Sequence, residues 1–352
     1  MKILIITQKI DRSDGVLGFM HRWILEFSRQ CEKVVGVCLY EGKHNLPENV
    51  LVRSLGKEKK VSRIKYLFNF YRHIWRERNN YDAVFVHMNQ VYVILGWPIW
   101  KLLGKKVGLW YAHGSVSLSL RVAALLADKI FTSTPSGFRL KSKKLNIVGQ
   151  GIDTEKFKPE SPKDFTGKLK MIMVGRISPV KDLKTLILAL EILDKKKNNF
   201  EMKVIGGAEM PNDRKYFEKI KRLAREKGVK DKIEFLGMVS NDNLVPHLLG
   251  SQLFLNPSKT GSLDKAMLEG MACGLPVFTC NESIKTVFRE DPKLLSLFYF
   301  EKENYEQMAQ KIMFFGSLTD SDKINLSDTM RDIVVKEHSV AGLISKILAK
   351  YE

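Results

Sequence analysis

Residues 170–195 read KMIMVGRISPVKDLKTLILALEILDK. The stretch opens with an apolar run of strand length, passes through a turn that holds glycine and proline, and ends in residues whose apolar positions recur at helical spacing. A strand that leads directly into a helix is the repeating unit of a parallel sheet covered by helices. This part of the chain therefore predicts an α/β fold.

The same alternation extends over the whole chain of 352 residues. Strands are predicted at residues 2–7, 33–39, 83–87, 107–111, 129–132 and 146–148, and in a second series at 170–174, 201–205, 232–236, 253–255 and 276–279. Helices are predicted at residues 18–29, 63–78, 183–195, 213–227 and 265–273. Two such series predict two domains with parallel sheets, and the boundary falls in the sequence GIDTEKFKPESP of residues 151–162.

Basic residues are concentrated in the first half of the chain. Residues 1–160 hold 27 Lys and Arg against 13 Asp and Glu, a net charge of +14 out of +19 for the whole chain. This imbalance predicts an anionic partner, which is nucleic acid, an acidic membrane surface or a phosphorylated ligand.

The cysteines and the apolar runs indicate the compartment. Four cysteines without C-x-x-C spacing predict reduced structural thiols rather than zinc ligands. A membrane-spanning helix needs about 20 apolar residues, and neither such a run nor a signal peptide is apparent. We therefore expect a cytoplasmic protein.

Two turns in the first series follow the carboxyl end of a strand, where open parallel sheets bind their ligands. Gly15 and Gly18 lie after the first strand, and glycine lets a backbone approach an anion closely. His113 follows strand 107–111 and is a candidate hydrogen-bond partner or general base. The alternatives are a plain turn and a structural histidine.

Two turns in the second series are suited to phosphate. Arg176 and Lys181 straddle the turn after strand 170–174, so both side chains reach one anion, and the next helix adds N–H donors. The alternative is a solvated basic turn. After strand 253–255, the small residues Thr260, Gly261 and Ser262 suit a nest of backbone amides at the start of a helix.

Glu269 lies in a helix that is otherwise made of small and apolar residues. A buried carboxylate needs a partner, and two vicinal hydroxyl groups would supply one. The alternative is a salt bridge with Lys265 one helical turn earlier. Together with the cation pair and the amide nest, Glu269 predicts a nucleoside diphosphate bound by its ribose and pyrophosphate.

Metal-bridged phosphoryl transfer is not expected, because no Walker A sequence is present and the only Asp-x-Asp pair, Asp320 and Asp322, falls in a polar connector.

These motifs resemble those of the retaining GT-B glycosyltransferases of family 4, also called glycosyl transferases group 1. The Gly-Arg pair at 175–176 with Lys181 is similar to the family's diphosphate signature, and residues 268–277 match the second half of its Glu-x7-Glu motif. Residues 150–159 resemble its interdomain linker, with Gln150 in place of Asn, and residues 235–239 resemble the turn that contacts the nucleotide base.

The resemblance implies two Rossmann-like domains whose parallel sheets face each other across a cleft. Residues 1–155 would form the acceptor domain and 156–335 the donor domain, with a helix at 336–352 that packs back on the first domain. The implied reaction moves a hexose, with retention, from a UDP- or GDP-sugar to a glycan or lipid-linked acceptor of cell-envelope polysaccharide or glycolipid synthesis. No metal or other cofactor is implied.

The resemblance also implies roles for individual residues. Arg176 and Lys181 would neutralise the pyrophosphate, Glu269 would hold the ribose, and His113 would contact the transferred sugar. The predicted catalytic residues are therefore His113, Arg176 and Lys181. The predicted donor-binding residues are Gly15, Gly18, Gly175, Arg176, Lys181, Gly237, Met238, Gly261, Ser262, Leu263, Asp264, Lys265 and Glu269.

One residue departs from the family pattern. The first Glu of the Glu-x7-Glu motif, which reads hydroxyl groups of the donor sugar, falls at Gly261. Either Asp264 replaces it or the sugar is held differently. This departure leaves a GT-B epimerase and a non-catalytic sugar-nucleotide-binding subunit as alternatives. Nucleic-acid binding is a more distant alternative, because no helix-turn-helix, zinc finger or stacking-strand motif supports it.

The segment of residues 53–78 combines nine basic residues with apolar residues at helical spacing. We expect these apolar positions to form a stripe that faces the core: Ile64, Leu67, Phe68, Tyr71, Ile74 and Trp75. The cationic face, next to the exposed aromatic residues Trp97 and Trp100, predicts peripheral attachment to an anionic membrane surface.

Overall fold

The computed structural model describes residues 1–352 and divides the chain into two compact units. Met1–Gly151 and Ser339–Glu352 form the first unit, and Ile152–His338 form the second. The first division therefore follows Gly151, in place of the predicted position after residue 155. The chain returns to the first unit at Ser339, in place of residue 336.

The first unit contains a parallel sheet of seven strands in the order β3-β2-β1-β4-β5-β6-β7. Its elements up to residue 147 are β1 (Lys2–Ile10), α1 (Phe19–Gln30), β2 (Lys33–Glu41), β3 (Val50–Ser54), α2 (Arg63–Arg76), β4 (Ala83–His87), α3 (Gln90–Leu102), β5 (Lys106–Trp110), α4 (Leu118–Leu126), β6 (Lys129–Thr132) and β7 (Leu145–Ile147).

The first strand shows why these apolar runs form the middle of a sheet. Ile3 and Ile5 pack into the core on one face, and Leu4 and Ile6 pack into the core on the other. Successive side chains of a strand point to opposite faces, and here helices cover both. Residues 3–6 of the strand are therefore continuously apolar instead of alternating with polar residues. Strand β3 was not predicted, because it is a short edge strand whose residues are all only partly buried.

The second unit contains a parallel sheet of five strands in the order β10-β9-β8-β11-β12. Its elements are β8 (Leu169–Val174), α5 (Leu183–Lys195), β9 (Phe200–Ile205), α6 (Pro211–Glu226), β10 (Ile233–Gly237), α7 (Asn241–Leu249), β11 (Leu253–Asn256), α8 (Lys265–Ala272), β12 (Val277–Thr279), α9 (Ile284–Val287), α10 (Pro292–Phe298), α11 (Tyr305–Ser317) and α12 (Asp320–His338). The predicted α/β class with two Rossmann-like domains is confirmed.

The last helix, α13 (Val340–Leu348), belongs to the first unit. Leu343 and Ile347 of this helix pack into the same core as Trp23 and Phe27 of α1. The buried Tyr351 hydroxyl donates a hydrogen bond of 2.8 Å to the carbonyl of Val84 in β4. The end of the chain is thus part of the first unit's core.

Helix α2 contradicts the predicted stripe. Its large apolar residues are mostly exposed: Ile64 (82%), Phe68 (63%), Trp75 (47%) and Leu67 (41%). Tyr71 is half-buried, and of the predicted stripe only Ile74 is fully buried. The apolar stripe expected to face the core therefore faces outward.

The reason is that α2 carries two apolar stripes. Phe70 and Ile74, one helical turn apart, are completely buried and anchor the helix on the sheet. The predicted exposure of Trp100 is also wrong, because its ring is buried 6.1 Å from that of Phe70. Trp97 is half-buried. Helical periodicity identifies apolar stripes but does not say which of two stripes is covered.

Candidate functional site

The strand order of the second unit reverses between β8 and β11, which are neighbours in the sheet but distant in sequence. Ligands of open parallel sheets bind at such a switch point, beyond the carboxyl ends of the strands. The turns that follow β8 and β11 hold the predicted phosphate-binding residues. The amide of Lys259 donates to the carbonyl of Val180 at 2.9 Å and joins the two turns directly.

The turn after β8 depends on glycine. Gly175 and Gly206 both have a φ of 152°, which other residues rarely adopt. A Cβ on Gly206 would lie 1.9 Å from the carbonyl oxygen of Gly175, so the loops after β8 and β9 approach each other closely only without a side chain there. This approach fixes the backbone that carries Arg176.

The two predicted cations have carboxylate partners. Lys181 forms an ion pair with Asp264, and both side chains are only 14% exposed. The side chain of Arg176 is 54% exposed, and its Nε lies 3.7 Å from Oδ2 of the buried Asp213. Arg176 thus extends into solvent from the same turn from which Lys181 reaches α8.

The turn after β11 leads into α8, and Asp264 caps the helix by accepting the N–H of Ala266 at 3.2 Å. Gly261 and Ser262 are exposed, whereas Leu263 is buried. Sequence reasoning missed Asn281, whose buried Nδ2 donates to the carbonyl of Ser262 at 2.9 Å and so fixes this turn. The predicted anion site is therefore a rigid turn ahead of a helix N-terminus.

Glu269 lies in α8 and is buried, as predicted. Burial raises the pKa of Glu269 and lowers the pKa of Lys265, and the attraction between the two charges partly offsets both changes. Asn241 donates a hydrogen bond to Glu269, and Lys156 donates to Oδ1 of Asn241 at 2.5 Å. Sequence reasoning missed Lys156 and Asn241, although both fall next to quoted motifs.

Gly237 ends β10 and Met238 follows it, at the same edge of the sheet. Gly237 has a φ of 70°, and its carbonyl accepts the N–H of Gly206 at 2.8 Å. The Met238 side chain is exposed and lies so close to Gly207 that a Cβ there would be 2.7 Å from its Cγ. The structure thus brings most of the predicted donor-binding residues to one edge of the second unit.

The turn with Gly15 and Gly18 belongs to the first unit. A Cβ on Gly18 would lie 2.5 Å from the carbonyl oxygen of Asp14, so glycine is required there. The carboxylate of Asp14 accepts the N–H groups of Val16 at 2.9 Å and Leu17 at 2.7 Å. Amides that were expected to be exposed to a ligand are therefore engaged by a side chain of the same turn.

His113 also belongs to the first unit and is exposed just beyond β5. Its Nδ1 accepts the N–H of Ser115 at 3.1 Å. In the neutral ring the proton then lies on Nε2, which leaves that nitrogen as a hydrogen-bond donor. His87, at the end of β4, is buried among aromatic rings that include Trp23 and Trp110.

No group of three or more His, Cys, Asp or Glu side chains is arranged to hold a metal ion. The pair Asp320 and Asp322 lies in the first turn of α12, where acidic residues are favourable, and not in a polar connector as predicted.

The four cysteines are buried and free of disulfides. None of the helices has the length and apolar character that crossing a membrane requires.

Comparison with known proteins finds a matching family and similar folds. The model of the family described as "Glycosyl transferases group 1" matches residues 153–325. A GDP-mannose-dependent alpha-(1-6)-phosphatidylinositol monomannoside mannosyltransferase of Mycobacterium tuberculosis is 26% identical over 152 residues, which are 39% of this chain and 38% of that enzyme. The match thus spans well under half the length of this relative.

Two solved structures share the fold over nearly the whole chain. A glycosyltransferase from Rickettsia africae has a TM-score of 0.77 at 16% identity, with 99% of this chain and 98% of that chain covered. Anabaena HepE, solved in complex with UDP, has a TM-score of 0.73 at 16% identity, with 99% of both chains covered.

Proposed function

We propose that this chain, whose residues 153–325 match the group 1 glycosyltransferase family, moves a hexose from a UDP- or GDP-sugar to a glycan or lipid-linked acceptor. The observation that carries this proposal is the convergence of Lys181, the start of α8 and Glu269 at the switch point of the second sheet. A cation, a helix N-terminus and a buried carboxylate suit a pyrophosphate and a ribose. The mycobacterial relative is named for a GDP-mannose donor and HepE was solved with UDP, which supports either donor base.

The donor is assigned to residues of the second unit. Arg176, Lys181 and the backbone of residues 263–265 bind the two phosphates, and Glu269 accepts hydrogen bonds from the ribose hydroxyl groups. Gly237 and Met238 contact the base. These groups provide the positive charge that a departing diphosphate needs, so the proposed reaction requires no metal ion.

Two groups of the first unit take further roles in the proposal. His113 donates from Nε2 to a hydroxyl group of the transferred sugar, since its Nδ1 already accepts the Ser115 amide. The turn of Gly15 and Gly18 contacts the donor through backbone groups other than the amides of Val16 and Leu17, which Asp14 already engages. The proposed acceptor belongs to cell-envelope polysaccharide or glycolipid synthesis.

The proposed chemical step is a front-face substitution. The acceptor oxygen forms a bond to the anomeric carbon while the bond from that carbon to the distal phosphate oxygen breaks. The departing phosphate oxygen takes the acceptor proton, and Arg176 and Lys181 stabilise its charge. Because attack and departure occur on one face, the anomeric configuration is retained. NMR analysis of the product anomer tests this step, and an inverted product refutes it.

We assign acceptor-side attachment to the exposed face of α2. Ile64, Leu67, Phe68 and Trp75 offer an apolar strip to a lipid surface, and Lys65 and Arg72 stand beside it. Apolar residues next to basic ones on one exposed helix suit an anionic membrane surface. A membrane would also hold a lipid-linked acceptor.

Donor binding gives the direct test. We expect the R176A variant to bind UDP or GDP about 10- to 100-fold more weakly than the unmodified protein in calorimetry, because a charge-assisted hydrogen bond contributes about 1.5–3 kcal/mol. The R222A variant, an exposed arginine of α6, is the matched control and should bind normally. Equal affinities of R176A and R222A would contradict the donor site.

Gly261 favours two further candidates on the same fold, a sugar-nucleotide-binding subunit and an epimerase. The residue provides no carboxylate where the family pattern places one. Incubation with a panel of UDP- and GDP-sugars separates the candidates. Release of free sugar or transfer to an acceptor supports the transferase, whereas a changed sugar still attached to its nucleotide supports the epimerase, and binding alone supports the subunit.

A further inference from the structure

Asp264 is the predicted site residue whose contacts fit none of the roles assigned to the donor site. It starts α8 and pairs with Lys181 of the neighbouring turn. Both side chains are largely shielded from water, so salt screens the attraction between them only weakly. The pair is therefore stronger than an ordinary surface ion pair.

The carboxylate of Asp264 engages both groups that a phosphate needs at this position. Its Oδ2 holds the ammonium of Lys181, and its Oδ1 accepts the N–H of Ala266 at 3.2 Å in the first turn of α8. An ammonium group together with helix N-terminal amides is the usual environment of a bound phosphate. A side chain of this protein already has the contacts that the donor is proposed to make.

The Lys181 side chain also packs against Gly175. A Cβ on Gly175 would lie 3.1 Å from Cε of Lys181 and 3.3 Å from its Nζ, so the lysine lies directly against the backbone of its own turn. Arg176 differs, because its side chain is more than half exposed and its Nε reaches Asp213 only at 3.7 Å. A diphosphate therefore meets Arg176 without competition comparable to that at Lys181.

We infer that Asp264 competes with the donor diphosphate for Lys181, an inference that rests on the proposed donor site. Donor binding exchanges one anion for another at this lysine, and Asp264 lowers the affinity for the nucleotide. This role is distinct from the predicted one, in which Asp264 replaces the glutamate absent at Gly261. A sugar-reading carboxylate would affect the UDP-sugar, whereas a competitor affects UDP itself.

Calorimetry with UDP and GDP tests the inference on the full chain. The D264N and D264S variants remove the charge but keep a residue that caps a helix well, so α8 should be preserved. We expect both variants to bind the nucleotide on the order of tenfold more tightly, because a like charge close to the phosphate is removed from a partly shielded site. D291N is the matched control, since Asp291 also caps a helix, α10, by accepting backbone N–H groups, but forms no ion pair with a lysine side chain.

The outcomes separate this inference from the proposed function. If the unmodified protein binds UDP or GDP and D264N binds it equally or more weakly, the inference is wrong and the proposed donor site stands. Unchanged UDP affinity with weaker UDP-sugar affinity likewise refutes the competitor and supports the sugar-reading role. If neither nucleotide binds to either protein, although both melt normally, the proposed function itself fails.

Discussion

The exposed face of α2 makes the membrane assignment testable at the level of one side chain. The F68S variant removes a phenylalanine that is 63% exposed. Full burial of such a side chain contributes about 1.5–3 kcal/mol, so burying the exposed part of Phe68 in a lipid interface contributes about 1–2 kcal/mol. That difference corresponds to a decrease of about 5- to 30-fold in membrane partitioning.

Sedimentation with vesicles of phosphatidylglycerol and phosphatidylcholine measures this partitioning. The F314S variant is the matched control, because Phe314 is a 51% exposed phenylalanine of the second unit that lies beside Lys293 and Lys311. We expect F314S to bind vesicles normally. Neither variant should change the melting temperature, since each removes a largely exposed ring.

The electrostatic part of the same interface has a different signature. Each Lys or Arg near an anionic surface contributes about 1 kcal/mol, so the R72Q variant should bind several-fold more weakly at low salt. This loss should shrink at high salt, because charges farther apart than about 8 Å are screened at physiological ionic strength. The apolar loss in F68S should persist. Equal vesicle binding of F68S and the unmodified protein, or an equal loss in F314S, would refute the reasoning.

Three further predictions concern the second unit. The E269Q variant should lose about tenfold in UDP affinity but little in affinity for 2′,3′-dideoxy-UDP, because Glu269 is assigned to the ribose hydroxyl groups; calorimetry with both ligands checks this. The N241A variant should bind UDP about three- to tenfold more weakly, since Asn241 donates to Glu269, whereas N243A on the exposed side of α7 should not. Release of sugar from the donor should continue unchanged in EDTA, and a loss restored by Mg²⁺ would contradict the proposed metal-independent site.

Local sequence predicted the site wherever its parts are close along the chain. Gly175, Arg176 and Lys181 lie within one strand-to-helix turn, so glycine and charge at short spacing suffice to identify them. The partner of Lys181 could not be predicted in this way, because the strand order of the sheet places Asp264 beside it. The order of strands in a sheet is set by the packing of the whole core, and the sequence of neither turn indicates it.

Helix α2 shows a different limit. Both of its apolar stripes satisfy the same helical period, and the stripe with more large residues is the exposed one. Coverage depends on what packs against the helix, and the shorter pair of Phe70 and Ile74 already fills the space above the sheet. The same limit applies to Asn241, since an asparagine after a turn looks like a helix start until Glu269 is found beside it.

The distribution of charge now separates two anionic partners. The cations of the donor site, Arg176 and Lys181, lie in the second unit, and Asp264 already offsets much of the charge of Lys181. The excess of +14 in residues 1–160 is therefore separate in sequence from the two cations assigned to the diphosphate. In the first unit, α2 places part of this charge beside an exposed apolar strip, a combination that nucleic acid would not require because phosphate contacts need no buried apolar surface. A lipid surface uses both properties at once, which is why the membrane and not nucleic acid is the partner assigned to the first unit.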